Sequence, residues 1–113
     1  MRKLRIKSEP KHFQDVFVHV AKTTGYLQKG LVYTFVEFPD NQLVRSAICV
    51  DLYTLSRENL TEHVSFLDAQ CDLDVYQLIL DNRGMAKDQK VTVATFAHIH
   101  KSKKYYDVSR GTF

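Results

Sequence analysis

Alternating apolar and charged positions begin the chain, where Leu4 and Ile6 lie between lysines and arginines. A period of two is typical of a strand that buries one of its faces. We therefore predict a short strand over residues 3–7 with a basic outer face.

The next segment fits two patterns. Ser8 and Pro10 are typical of the start of a helix, as its N-cap and first-turn residues. Apolar residues then recur at helical spacing, at Phe13, Val16, Phe17 and Val20. We predict a helix over about residues 10–23. Because residues 16–20 ("VFVHV") also alternate, a strand is the alternative.

The middle of the chain predicts a β-hairpin. Residues 31–38 ("LVYTFVEF") and 43–53 ("LVRSAICVDLY") are rich in β-branched and aromatic side chains. The turn-forming residues Pro39, Asp40 and Asn41 separate the two runs. A second helix is expected to follow the hairpin.

That second helix is predicted from two features. Ser56 or Asn59 is expected to cap it, and Asn59 and Glu62 have the spacing of a capping box. The apolar residues Leu60, Val64 and Leu67 then form a stripe that would face the core.

Two more strands are predicted, at residues 74–80 ("DVYQLIL") and 91–99 ("VTVATFAHI"), and residues 105–113 offer a short final strand. Within residues 91–99, alternation places Val91 and Val93 on the buried face. The same alternation turns His98 outward.

The predicted order is strand, helix, strand, strand, helix, strand, strand. Its first six elements match the ferredoxin-like order. We therefore predict a single α+β domain over residues 1–113. It would be a two-layer sandwich, in which a mostly antiparallel sheet of about four to six strands carries two helices on one face. The other face would be open and lined by Lys, Arg, Tyr and His side chains.

Composition agrees with a globular domain, since 44% of residues are hydrophobic and 26% are charged. Cys49 and Cys71 lie in separate apolar runs, so we predict two reduced thiols. The N-terminal residues lack the apolar stretch of a signal peptide, and no apolar run approaches the roughly 20 residues of a membrane span. A cytoplasmic protein without a membrane partner is expected.

Charge is distributed in blocks. Residues 1–30 carry seven Lys or Arg and two Asp or Glu, so their net charge is 7 − 2 = +5. Residues 31–82 carry two Lys or Arg and nine Asp or Glu, so their net charge is 2 − 9 = −7. Residues 83–113 carry seven Lys or Arg and two Asp or Glu, so their net charge is again +5. We expect the two chain ends to meet and form a basic pole opposite an acidic one.

His98 and His100 are the candidate metal ligands. Two imidazoles one residue apart on a strand share a side, about 7 Å from each other. A zinc site needs three or four ligands, and no further His or Cys lies at ligand spacing. We therefore predict exposed histidines at a strand end, with no metal and no cofactor.

No catalytic motif is complete. The chain lacks a G-x-S-x-G nucleophile elbow and a glycine-rich phosphate loop. The carboxylate pair Asp72/Asp74 lies at the entrance of the strand predicted at residues 74–80, and the pair Glu58/Glu62 is predicted to lie on a solvated face of the second helix near its N-terminus. A binding role is therefore favoured over catalysis.

Basic residues interleaved with aromatic residues indicate a candidate site for nucleic acid or another anion, because cations contact phosphates and aromatic rings stack on bases. The candidate residues are Arg2, Lys3, Arg5, Lys7, Lys101, Lys103, Lys104, Tyr105 and Tyr106. The aromatic-rich signature of the common RNA-binding sheet domains is absent, and the pI is about 8.9.

Three functions follow from these patterns. The leading hypothesis is a small binding or regulatory protein that works through protein contacts and forms a homodimer through a sheet edge. The alternative is an accessory nucleic-acid-binding protein that uses the basic and aromatic residues at the chain ends. A metal-dependent enzyme around His98 and His100 is the second alternative.

Overall fold

The structure of the protein, a computed structural model, describes residues 2–7, 9–22, 25–37 and 42–99, without the side chains of residues 42–44. Within these residues the strands are β1 (Lys3–Ile6), β2 (Val16–Lys22), β3 (Val32–Glu37), β4 (Gln42–Ser56) and β5 (Lys90–His98). The helices are α1 (Glu62–Ala69) and α2 (Leu73–Asn82), and single 3₁₀ turns form at Pro10–Phe13 and Arg57–Asn59.

The described strands form one mixed sheet in the order β1-β3-β4-β5-β2. β1 runs parallel to β3, whereas the other neighbours are antiparallel, including the predicted hairpin of β3 and β4. The α+β class is therefore confirmed. The ferredoxin-like order is not confirmed, because the elements expected at residues 10–23 and 74–80 differ.

The helix predicted over residues 10–23 is wrong. One 3₁₀ turn follows Pro10, and β2 then begins at Val16. The strand alternative holds because both faces of β2 are buried: Phe17 faces one core, whereas Val18 and Val20 face another. The apparent helical stripe arises because apolar residues on two opposite faces also fit a spacing of three and four.

The strand predicted at residues 74–80 is also wrong, since this segment is α2. The Asp72 carboxylate caps the helix by accepting a hydrogen bond from the Val75 backbone nitrogen at 2.8 Å. Tyr76 and Leu80, four residues apart, are fully buried on one side. Asp72, which was predicted to lie at the entrance of a strand, is thus the N-cap of a helix.

Each face of the sheet carries a buried apolar core, so the predicted open face lined by polar and aromatic side chains is wrong. On one face lies an aromatic core, in which the rings of Phe17, Tyr33 and Phe35 surround Phe96 at centroid distances of 5.0 to 5.9 Å. Its other buried members are Ile6, Leu27, Ala47, Cys49 and Ala94. Edge-to-face and offset contacts of this kind add to the free energy gained by burying the rings.

The opposite face carries a helix core. β2 contributes Val18 and Val20, and β5 contributes Val91 and Val93. The helical layer contributes Leu60, Val64, Tyr76 and Leu80. Both helices therefore lie on one face of the sheet, as predicted, although α2 is not one of the helices expected from the sequence.

A bulge in β4 lets this long strand serve both cores. Register shifts between Cys49 and Asp51, and Val50 is the extra residue. Cys49, which precedes the bulge, faces the aromatic core. After the bulge, Leu52 packs against the aromatic core and Tyr53 packs against the helix core. One extra residue exchanges the two faces because the side-chain period of a strand is two.

Arg57 attaches the end of β4 to α2, although only 1% of its surface is exposed. Its Nε and Nη2 donate to the side chain and backbone of Gln77 at 2.8 and 2.7 Å, and Nη1 donates to the Met85 carbonyl at 2.6 Å. Asp81 balances the charge at 2.6 Å from Nη1. A buried guanidinium with all these partners fixes the position of α2.

Substituting two leucines of α2 tests its register. We expect Leu80→Ala to lower the free energy of unfolding by about 2–5 kcal/mol, because the side chain is fully buried. The matched change Leu78→Ala should stay within about 0.5 kcal/mol, since Leu78 is exposed. Urea denaturation measures both. Equal losses would contradict the helix, because residues two apart share a face only in a strand.

Candidate anion-binding cleft

A cleft of about 200 Å³ opens between β1 and β2, the two outermost strands of the described sheet. Its lining residues come from both strands and from the 3₁₀ turn that joins them: Arg5, Ile6, Lys7, Glu9, Lys11, His12 and His19. Three cationic side chains and two imidazoles thus lie around one carboxylate.

The sheet brings these distant strands together by curling around the aromatic core. Ile6 of β1 and Phe17 of β2 both belong to that core, although three strands separate them in the sheet. Arg5 of β1 and His19 of β2 also line one cleft, which two strands at opposite edges of a flat sheet could not do. The cleft is therefore the gap left where the curled sheet nearly closes.

A buried ion pair holds the 3₁₀ turn in this gap. Lys11 Nζ pairs with the Asp68 carboxylate of α1 and donates a hydrogen bond to the Val18 carbonyl of β2 at 2.9 Å. The Tyr76 hydroxyl of α2 donates to the other oxygen of Asp68. Burial, and then the Asp68 charge, raise the pKa of Tyr76, so its hydroxyl keeps the proton that it donates.

Neutralisation of Lys11 by Asp68 changes the electrostatics of the cleft. A lysine that is 7% exposed and already paired adds little to the field outside. Arg5 and Lys7 are exposed, and these two residues supply the outward positive charge.

His12 lines the cleft with an uncharged ring. Its ring packs edge-on against Phe17 at 5.3 Å and tilts against Phe35 at 5.9 Å. Its Nδ1 accepts a hydrogen bond from the Glu9 backbone nitrogen at 3.0 Å, which assigns the proton to Nε2. Burial, and then the positive charge of Lys11, lower the pKa of His12.

His19 lies on β2 beside the same cleft. Burial, followed by the charge of Lys11, lowers its pKa to about 4. The ring is therefore uncharged at neutral pH. Both histidines offer the cleft hydrogen-bonding groups without positive charge.

The 3₁₀ turn that contributes Lys11 and His12 to the cleft also carries an exposed aromatic ring. Phe13 follows His12 in the 3₁₀ turn and is 61% exposed. The Arg45 guanidinium lies 5.8 Å from the centre of the Phe13 ring and donates to the carbonyls of His12 and Gln14 at 3.3 and 3.2 Å. A cation over one ring face orients Phe13 while much of its surface stays open to solvent.

The structure places part of the predicted anion site. Arg2, Lys3, Arg5 and Lys7 are all exposed along β1, whose alternation is as predicted. Arg5 and Lys7 line the cleft. The other members of the predicted set lie outside the described residues, namely Lys101, Lys103, Lys104, Tyr105 and Tyr106, as does His100.

The beginning of β1 and Ile99, which follows β5, share one row of the sheet. Lys3 pairs with Thr34, Thr34 pairs with Ser46, and the Ile99 nitrogen donates to the Ser46 carbonyl at 3.2 Å. Three strand spacings separate Lys3 from Ile99, which is about 14 Å along the sheet. Ile99 therefore lies on the same side of the sheet as the first residue of the basic strand β1, three strands away from it.

His98 does not occupy the solvent-facing position predicted for it. It shares the strand face of Phe96 and Ala94, which pack in the aromatic core, and it is half-buried. Its backbone nitrogen donates to the Asp15 carbonyl at 2.7 Å. Among the described residues, no three His, Cys, Asp or Glu side chains are grouped as a metal site requires.

Lys11, His12 and His19 were missed by the sequence patterns. All three fell within the helix predicted over residues 10–23, and their cleft forms through packing across the sheet. One local signal exists, since His12 stands three residues after Glu9 and the two make reciprocal capping bonds.

Comparison with known proteins gives no match: no protein-family model fits the chain, and no curated sequence or solved structure is significantly similar to it. Within the part of the chain that the structure describes, neither helix is long and apolar enough to cross a membrane.

A double-mutant cycle tests the buried pair. Lys11→Met should lower the free energy of unfolding by roughly 3–5 kcal/mol, because it leaves the Asp68 carboxylate buried without its cation. Asp68→Asn keeps an acceptor for Tyr76 but leaves Lys11 unpaired. The double variant should lose clearly less than the sum of the single losses, as measured by urea denaturation. Additivity within about 0.5 kcal/mol would show that the two residues are not coupled.

The low pKa of His19 predicts a pH-dependent stability. The unfolded chain takes up a proton on this imidazole near pH 6.5, whereas the folded protein does so only near pH 4. Between these values the unfolded state binds more protons, so the free energy of unfolding falls as the pH is lowered, by at most about 1.4 kcal/mol per pH unit.

His19→Gln removes this contribution. The variant should show a shallower loss of stability than the parent between pH 6.5 and 4, while His12 and the carboxylates supply the same residual slope in both proteins. Urea denaturation across the range gives the two slopes, and NMR titration of the His19 ring gives its pKa. Parallel slopes, or a His19 pKa near 6.5, would refute the burial argument.

Proposed function

We propose that this protein binds single-stranded nucleic acid, without catalysing a reaction on it, along a basic edge formed by Arg2, Lys3, Arg5 and Lys7. One observation carries the proposal. The exposed cations Arg5 and Lys7 line a cleft together with a paired lysine, two neutral imidazoles and a single carboxylate, that of Glu9.

A strand edge with this charge suits an extended polyanion. Lys3 and Arg5 are two residues apart on β1 and point to the same side, about 6.6 Å from each other. Arg2 Nη1 donates to the Val32 carbonyl at 3.3 Å, which holds a further guanidinium beside the strand. Successive phosphates of one strand can contact such a row of cations.

The neighbouring groups fit the bases and not only the phosphates. Phe13 offers an exposed ring for stacking, which is tolerant of base identity. Uncharged His12 and His19 can donate or accept hydrogen bonds at the cleft without adding charge. Affinity would then come from the cations, and selection for unpaired bases from the ring and the cleft.

The negative charge of the helices favours the binding of single strands over the binding of a duplex. Proteins that read the major groove insert a helix or a β-ribbon that carries basic side chains. Here residues 62–82, which include α1 and α2, contain five Asp or Glu and no Lys or Arg. Such helices would be repelled by duplex phosphates.

Fluorescence anisotropy with a labelled single-stranded oligonucleotide of about 20 nucleotides tests the proposal. Binding should weaken steeply as salt rises. Arg5→Ala with Lys7→Ala should weaken it on all sequences alike, and should reduce the slope of log affinity against log salt by about 1.4, for two lost phosphate contacts at 0.7 each.

The control removes the same charge elsewhere. Lys87 and Lys90 are exposed and lie outside the basic edge. Lys87→Ala with Lys90→Ala should leave the salt slope unchanged. No binding at low salt, or an equal loss in both double variants, would overturn the proposal.

A further inference from the structure

Three large apolar side chains are exposed on the helical layer. Phe66 of α1 is 60% exposed, and Val75 and Leu78 of α2 are 44% and 61% exposed. Val75 and Leu78 are three residues apart and therefore lie on the same side of α2. Exposed apolar residues that are grouped and bordered by polar ones mark contact surfaces.

The helix core does not need these residues. Each helix already fills its inner side, α1 with Val64 and α2 with Tyr76 and Leu80, all of which are buried. Phe66, Val75 and Leu78 point away from that core. We call the surface that contains them the helical face.

The helical face is acidic. Of the five carboxylates in residues 62–82, only Asp68 is buried. A cleft of about 370 Å³ flanks α2, and its lining includes the carboxylates of Glu58, Asp74 and Asp81. Because Arg57 is buried and paired with Asp81, Lys87 is the exposed cation on the cleft wall.

A complementary surface exists on the same chain. Residues 2–11 carry five Lys or Arg and one Glu, and all the cations except Lys11 are exposed. Exposed apolar side chains accompany them: Phe13 in the 3₁₀ turn, and Val32, whose carbonyl accepts from Arg2. The basic edge therefore matches the helical face in both charge and apolar content.

We infer that the helical face of one molecule docks on the basic edge of a second copy of this chain, head to tail. Opposite charges would orient the encounter, and Phe66, Val75 and Leu78 would meet the apolar residues beside the edge. The contact uses two different surfaces, so a third copy can add to the free end of a dimer. It does not depend on nucleic-acid binding, although both would use the basic edge.

Sedimentation velocity over a range of protein concentrations tests the contact. The weight-average mass should rise above that of one chain at low salt and fall back at high salt. Leu78→Lys should abolish the rise, because it places a cation in the apolar part of the helical face. Val50→Lys is the matched control, since Val50 is also exposed but lies in the β4 bulge.

Mixing two variants tests the head-to-tail geometry. Leu78→Lys keeps an intact basic edge, and Arg5→Glu with Lys7→Glu keeps an intact helical face. Each should be a monomer alone, and the mixture should form a one-to-one dimer that grows no further. An Arg5→Glu, Lys7→Glu protein that still self-associates, or a parent protein that is monomeric at every concentration, would overturn the inference.

The two proposals fail separately. Oligonucleotide binding is measured at protein concentrations below those of self-association, and Leu78→Lys should bind the oligonucleotide as the parent does. Loss of oligonucleotide binding in the parent, with association intact, would leave the contact between copies standing. Urea denaturation of Leu78→Lys confirms that any loss of association is not a loss of fold.

Discussion

The buried pair of Lys11 and Asp68 is the constraint on which the architecture depends. An unpaired ammonium in this position would cost several kcal/mol, so Lys11 must stay where Asp68 and the Val18 carbonyl can meet it. Lys11 belongs to the 3₁₀ turn, Asp68 to α1, and Tyr76 of α2 holds the second carboxylate oxygen. One charged contact thus joins the chain between β1 and β2 to both helices, and keeps the curled sheet in register with the helical layer.

The sheet separates two cores, and this separation explains where the charges lie. Because both faces of β2 and β5 are buried, polar residues are left to the strand edges, the turns and the outer side of the helices. The basic block near the N-terminus therefore appears along the edge of β1. The acidic block of residues 62–82 appears on the helices, except for Asp68, which turns inward to meet Lys11.

Local periodicity predicted those elements in which one pattern dominates. The basic strand at residues 3–7, the hairpin of residues 31–53 and the strand at 91–99 were readable because alternation and β-branched composition agree. The structure of residues 10–23 could not be predicted in this way, because apolar residues on two buried faces of a strand also fit the spacing of a helical stripe. The cleft could not be predicted for a different reason: Lys11, His12 and His19 converge only after the sheet curls, and no local pattern records that contact.

Electrostatics in the cleft suggest binding that is reversible. Asp68 cancels the charge of Lys11, and burial keeps His12 and His19 neutral, so the outward charge of the cleft comes from the cations Arg5 and Lys7 and from the carboxylate of Glu9. Exposed cations contribute modestly and are screened by salt. An anionic strand held this way would exchange readily, and so would the acidic helical face of a second copy. The nucleic acid and the helical face of a second copy would contact the same exposed cations. Binding of nucleic acid would therefore release the second copy. The degree of self-association would then depend on how much of the basic edge is occupied by nucleic acid.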